Sequence, residues 1–368
     1  MPFSDLSYLL ETLKLDAAQL TLVDGNHLKS SYYPPFSPAG HVIVFDILPG
    51  EQAKKIEYLL SKIYPLDHFC FGFVPSDQPG SDWGQPSKIP IHAIGGINSK
   101  IDLYIPPALP DSSLESFQNL IAHLRSPQGC PWDREQTHQS LRPNLLEETY
   151  EVLNTLDEQD SADLMEELGD LLLQIVLHSQ IANESGEFNL SQVIQGIYKK
   201  IMYRHPHVFK DEKIEDAKGV IRKWEELKSV ERLENGRNKD QGILESIPRN
   251  MPALSLAQEY QKRAARVGFD WSEIQPVMDK VNEELIELNI ASTQMRKEEE
   301  LGDLLFAVVN LARWLNVDAE SALRKMTSRF YSRFTFIEQQ AGKMGKKLQN
   351  MTLKEMDSFW ELAKEQGL

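Results

Sequence analysis

Residues 145–176 read LLEETYEVLNTLDEQDSADLMEELGDLLLQIV, and this stretch decides the fold. Apolar residues recur at Leu145, Leu146, Val152, Leu153 and Leu156, then at Leu164, Leu168, Leu171, Leu172, Ile175 and Val176, close to helical period. The polar stretch between them predicts a turn, with Asp160 or Ser161 capping the second helix. The expected unit is an antiparallel helical hairpin glued along its apolar stripes.

The acids then fall into register. Glu148 and Glu151 stand three apart on the first helix, and Glu167 and Asp170 three apart on the second, so each pair shares a face. Facing residues of an antiparallel hairpin have numbers with a constant total, a condition met by 148 with 170 and by 151 with 167. Four carboxylates therefore oppose one another beside the apolar stripes. Like charges at close range in a partly dry site need a counter-charge, and an all-oxygen ligand set suits Mg²⁺ or Mn²⁺ rather than zinc.

The same device recurs in residues 280–315, KVNEELIELNIASTQMRKEEELGDLLFAVVNLARWL, with Glu284 and Glu287 on one helix and Glu300 and Asp303 on the next. A lone Glu-x-x-Glu on a helix is an ordinary solvated face. Two such pairs in matching register, repeated with ELGDLL spelled out both times, point to metal binding.

Composition bounds the rest. At 368 residues the chain is long enough for two or three domains, and its 41% hydrophobic and 26% charged content is that of a folded protein. No apolar run approaches the roughly 20 residues a bilayer crossing needs, so no membrane partner is expected. The start, MPFSDLSYLLETLKLD, is acidic and amphipathic and unlike a secretion signal. Cys70 and Cys130 make no disulfide framework, which places the protein in a reducing cytoplasm. A net charge of −16 argues against nucleic-acid binding, because phosphate backbones demand a basic surface. A small polyphosphate held by a metal and a few cations remains compatible.

Residues 1–110 predict a small α/β domain. LTLVDG, HVIVFDIL, HFCFGFV, IPIHAIGGI and IDLYIPP read as β-rich segments, with a helix at residues 52–63. No Gly-x-Gly-x-x-Gly turn follows a strand, and Gly95-Gly96 reads as a turn. The order of elements, closing on IDLYIPP, weakly resembles the C-terminal half of a tetrapyrrole-methylase domain. The glycine-rich half expected to bind S-adenosylmethionine is absent, so a non-catalytic remnant or docking module is implied.

From about Ser112 the pattern is helical, giving one domain at 112–235 and, after the polar linker RLENGRNKDQ at residues 232–241, another at 242–368. GCPWD at residues 129–133 reads as a structural turn, with no partners for Cys130 as a zinc ligand; His205 and His207, flanking Pro206, fit either a metal-holding loop or, more commonly, a helix end, and are left unassigned. Each acidic hairpin is followed by two cations one helical turn apart and then a tryptophan: Lys200, Arg204 and Trp224, then Arg329, Arg333 and Trp360. Such cations clamp adjacent phosphates and an aromatic ring stacks on a base, although stem packing and core anchoring are the ordinary uses of these side chains.

The run GCPWDREQTHQSLRPNLLEETYEVL, with EELGDLLLQIVLHSQIA and RHPHVF after it, resembles the MazG nucleoside triphosphate pyrophosphohydrolases, and GFDW with EELIEL and EEELGDLLFAVVNLAR resembles their C-terminal repeat. The resemblance covers about residues 112–368. It implies a mainly α protein: two all-α units of four-helix-bundle type after the small N-terminal domain, completed by a second subunit as a homodimer or higher homo-oligomer. It also implies Mg²⁺-dependent cleavage of nucleoside triphosphates between the α and β phosphates.

On that resemblance, Glu284, Glu287, Glu300, Asp303, Glu148, Glu151, Glu167 and Asp170 hold metal, and Glu283 or Glu147 orients the attacking water. Arg329, Arg333 and Trp360 fall where the family contacts phosphate and base, and Arg296 where a substrate-binding lysine is expected; the second unit is favoured for catalysis. Two alternatives remain: a hydrolase of alarmones or damaged nucleotides, and a regulatory module that binds Mg²⁺ and nucleotide without turnover.

Overall fold

The computed structural model describes residues 10–11, 20–74, 86–158, 160–210, 212–214, 216–234, 242–245 and 247–368. Residues 235–241 of the expected linker, and most of the acidic N-terminal stretch, lie outside them. The chain divides into two compact units, Met1–Ile197 and Tyr198–Leu368.

The first unit opens with β1 (Leu20–Asp24), α1 (Gly25–Ser30), β2 (His41–Ile47), α2 (Glu51–Leu60), β3 (Phe69–Phe73), β4 (Ser87–Pro90) and β5 (Ile101–Ile105). The strands form one sheet of order β1-β2-β5-β3-β4, parallel only between β1 and β2. Alternation along HVIVFDI sends Val42 and Val44 to the face shared with Ile56, Leu59, Ile91 and Leu103, and Ile43 to the other face, against Phe73 and Tyr104. Every residue of β5 is buried, as expected of a strand between two paired neighbours.

The register breaks between Val44 and Ile47, where Asp46 adopts φ 62° and its amide donates to Asp102 Oδ1 at 2.7 Å. IPIHAIGGI departs from the strand expectation. Only its start belongs to β4; Ile91–Gly96 wind into a 3₁₀ turn that buries Ile91 and Ile94 together, a three-residue spacing no strand can place on one face.

Helices take over at α3 (Leu114–Leu124), the single-turn α4 (Pro131–Glu135), α5 (Arg142–Glu158), α6 (Ser161–Glu184) and α7 (Leu190–Arg204). α5 and α6 form the predicted hairpin, and Asp160 caps α6 by accepting from the Ala162 and Asp163 amides. Its apolar stripe is wider than one hairpin can cover. Val176 is buried with Ile121, Leu141 and Leu177, whereas Leu146, Leu156, Leu168, Leu172 and Ile175 are exposed. Arg125 knots this region: its guanidinium holds Glu184 (2.8 Å) and donates to the carbonyls of Asp133 and Gln136.

The second unit contains α8 (Pro206–Phe209), α9 (Ala217–Glu234), α10 (Ala253–Arg266), α11 (Gln275–Ile290), α12 (Gln294–Trp314), α13 (Ala319–Lys343) and α14 (Leu353–Glu365). α11 and α12 make the second hairpin, so the mainly α expectation holds. Thr293 and Asp318 cap α12 and α13, and Thr352 with Glu355 closes a capping box on α14. α10 is stitched to its neighbours by buried amides: Gln258 donates to Val317 O and accepts from Ala319 N, and Gln261 donates to Phe306 O.

Candidate metal centre

Each hairpin brings its acids together. Carboxylate oxygens of Glu148, Glu151 and Glu167 lie within 4.8 Å of one another, as do those of Glu284, Glu287 and Glu300. Asp170 and Asp303 fall outside these two clusters of three, but their charges reach them: Asp170 raises Glu148 and Glu167, and Asp303 raises Glu300. The helical three-residue spacing aligns each pair, and the turn sets the facing register.

The electrostatics fit a cation. In the first hairpin, partial burial raises the carboxyls of Glu148 and Glu167 above their ordinary range, and the neighbouring carboxylates, Asp170 and Glu151 foremost, raise them further. In the second, burial raises Glu300; Arg296 opposes the rise while Glu287 and Asp303 add to it. Glu284 and Glu300 are only 5% and 3% exposed. Hard oxygen donors gathered at this spacing, with protonation as the alternative relief, are suited to Mg²⁺ or Mn²⁺.

The second quartet also has cations of its own. Lys280 bridges Glu284 (2.7 Å) and Glu283 (2.8 Å), and these two partners raise its ammonium above the ordinary lysine value. Arg296 meets Glu300 at 2.7 Å and Glu299 at 3.5 Å. Both reach one helical turn forward to the acid four residues on, an i,i+4 relation readable in the sequence for Lys280, whereas Arg296 is expected from the family resemblance. The corresponding positions of the first hairpin are Asn144 and Asp163. Glu147 is exposed, and its charge adds to the rise at Glu148.

A cavity of about 570 Å³ opens beside the second hairpin, its lining including Lys280, Glu284 and Asp303 together with Phe269, Trp271 and Phe306. Sequence reading missed it. Its walls come from α10, the turn before α11, α11 itself and α12, whose meeting is a tertiary event; GFDW was the one visible signal.

The remaining expected residues lie elsewhere. Arg333 sits over the Trp360 ring at 5.4 Å and donates to Leu368 O at 2.7 Å, while Phe330 lies 5.4 Å from the same ring. Arg329 is exposed, 3.5 Å from the Met326 sulfur. None of Arg329, Arg333 and Trp360 lines the cavity. In the first repeat Arg204 stands over Trp224 at 5.1 Å, the same cation–aromatic pairing, but Glu231 binds it at 2.6 Å; Lys200 is exposed. His205 Nδ1 donates to Ile201 O at 2.8 Å, at the end of α7.

These features define a class: an α-helical protein carrying two facing-carboxylate centres on repeated hairpins. Residues 136–209 match the MazG nucleotide pyrophosphohydrolase domain. A Thermotoga maritima protein named nucleoside triphosphate pyrophosphohydrolase/pyrophosphatase MazG is 46% identical over 251 residues, which is 68% of this chain and 95% of that protein. The Escherichia coli nucleoside triphosphate pyrophosphohydrolase is 42% identical over 263 residues, 70% of this chain and 99% of its own. The Bacillus subtilis protein YabN is 38% identical over 336 residues, 88% of this chain and 67% of that one. The chain belongs to the MazG family.

Proposed function

We propose that the protein is a Mg²⁺-dependent nucleoside triphosphate pyrophosphohydrolase that converts a triphosphate and water to a monophosphate and pyrophosphate, with its working site in the second hairpin. The observation that carries this reading is the second hairpin: three clustered glutamates, Lys280 and Arg296 paired to two of them, and an adjoining cavity lined by Lys280, Glu284 and Asp303. The names and extent of the T. maritima and E. coli relatives support the reaction class.

Glu284, Glu287, Glu300 and Asp303 would hold the metal, which when bound supplies charge neutralisation and Lewis acidity at a phosphoanhydride. Glu283 accepts a proton from the attacking water while Lys280 holds its carboxylate in place. Arg296, largely exposed and paired with Glu300, would neutralise charge on the departing pyrophosphate. Arg329, Arg333 and Trp360 would join the site from a second copy of the chain. Exposed apolar residues on the second hairpin, Ile286 and Ile290 among them, support such a homodimer.

Product analysis by anion exchange, after incubation with Mg²⁺ and each NTP and dNTP in turn, tests the reading. Monophosphate with equimolar pyrophosphate is expected. Diphosphate with orthophosphate, or binding without product, would move the protein to another reaction or to a regulatory module.

A further inference from the structure

The two arginine–tryptophan pairs that follow the acidic hairpins both lie in the second unit, and they are filled differently. In the second repeat, Arg333 of α13 sits 5.4 Å over the Trp360 ring of α14, and its Nε donates to the Leu368 carbonyl at 2.7 Å. Its two terminal nitrogens bond no acceptor among the described residues. A carbonyl is a neutral partner, so this guanidinium keeps its full charge and part of its donor fork.

In the first repeat, Arg204 at the end of α7 sits 5.1 Å over the Trp224 ring of α9. Here the partner is an anion. Glu231 Oε2 accepts from Arg204 Nε at 2.9 Å and from Nη2 at 2.6 Å. Glu231 stands seven residues after Trp224 on the same helix, two turns along one face, and Lys228 between them lies 4.6 Å over the ring. The side chains of Arg204 and Glu231 are only 13% and 23% exposed, so salt screens the pair less than it would a surface ion pair.

A guanidinium that sends two nitrogens to one carboxylate oxygen makes the contact it would otherwise make with a phosphate oxygen. A phosphate arriving at Arg204 must displace a carboxylate tethered to the clamp's own helix, and meets its negative charge on the way. The second clamp has no such side chain at the matching place, since Gly367 stands seven residues after Trp360.

We propose that Glu231 is a built-in anion that keeps the first clamp closed to phosphate, an autoinhibitory contact whose removal uncovers an oxyanion site at Arg204, Trp224 and Lys228. The ligand class of the uncovered site is inorganic phosphates and polyphosphate tails. The inference rests on the proposed triphosphate reading for the presence of a phosphate clamp, and its test needs no turnover.

The probe is inorganic pyrophosphate, titrated by calorimetry into the full chain in the presence of EDTA, so that no metal-held site contributes. Glu231→Gln, with unchanged melting temperature as the folding control, is expected to bind one more pyrophosphate per chain than the unaltered protein. Adding Arg204→Gln to that variant is expected to remove the gained site. Equal numbers of sites in Glu231→Gln and the unaltered protein, or a gained site that survives the loss of Arg204, would overturn the inference. The unaltered chain gives a second measurement that no unfolding of a variant can spoil. Its Arg204 Nε–H resonance is expected to stay in place at saturating pyrophosphate, and movement of that resonance would show the clamp already open. Absence of turnover with every nucleoside triphosphate would sink the reaction reading without altering the site count, which decides the role of Glu231 by itself.

Discussion

The two acidic hairpins share a backbone and a carboxylate register, yet they are in different electrostatic states. In the second, Lys280 and Arg296 already sit on Glu284 and Glu300, and both acids are buried. In the first, Asn144 and Asp163 stand at the corresponding positions, and Glu151 is exposed. One centre is partly neutralised by its own chain; in the other, no ion pair forms on Glu148, Glu151 or Glu167 among the described residues. Carboxylate geometry is thus separable from the charge balance around it, since a phosphate approaching the first hairpin meets more uncompensated negative charge.

The sharpest way to break the comparison is activity. Glu300→Gln is expected to lower kcat about 100-fold or more, and Glu167→Gln to leave it within a few-fold, read by pyrophosphate release. Equal losses would show that both centres turn over substrate. Next in size is metal removal. Glu148, Glu167 and Glu300 have raised carboxyls in the fold, so the folded chain binds more protons than the unfolded one above the ordinary carboxylate range. Stability of the metal-free protein should therefore fall as pH rises through that window. Adding Mg²⁺ at 100 times its Kd should return about 2.7 kcal/mol, followed by thermal unfolding with and without chelator.

A smaller effect sharpens the contrast. Asn144→Lys places a cation four residues before Glu148, as Lys280 stands before Glu284, and is expected to stabilise the metal-free chain by about 0.3–0.5 kcal/mol in denaturant titration. The smallest expected change lies outside both hairpins. Lys346 and the Thr352 capping contacts hold the Glu355 carboxyl down at about 2. Its contribution is present above the unfolded carboxylate value and disappears as pH falls toward 2, so the Trp360 near-ultraviolet signal should be lost in acid earlier in Glu355→Gln.

Much of this was legible in the sequence because it is local. Helical period and a constant residue-number total placed Glu148, Glu151 and Glu167 together, and the Asp160 cap followed from one side chain. Lys280 is equally local and was not expected: its i,i+4 relation to Glu284 can be read in the sequence, whereas Arg296 came from the family resemblance. The cavity was not legible, because Gln261, Phe269 and Phe306 lie on three segments whose meeting depends on α10 crossing α12. The outward half of the apolar stripe was misread for a related reason. Periodicity shows that a helix has an apolar face, and Leu168 and Ile175 show that it does not reveal how much of that face one neighbour covers.

Arg125, with a side chain only 6% exposed, ties the end of α3 to Glu184 on α6 and to the carbonyls of the turn that carries Trp132. Few apolar contacts guard that turn; Trp132 itself is exposed. Resistance of residues 126–136 to trypsin and to amide exchange should therefore depend on one guanidinium. Arg125→Lys, unable to reach both carbonyls and the carboxylate at once, should convert a closed loop into a nicking site in a protein whose melting temperature barely moves.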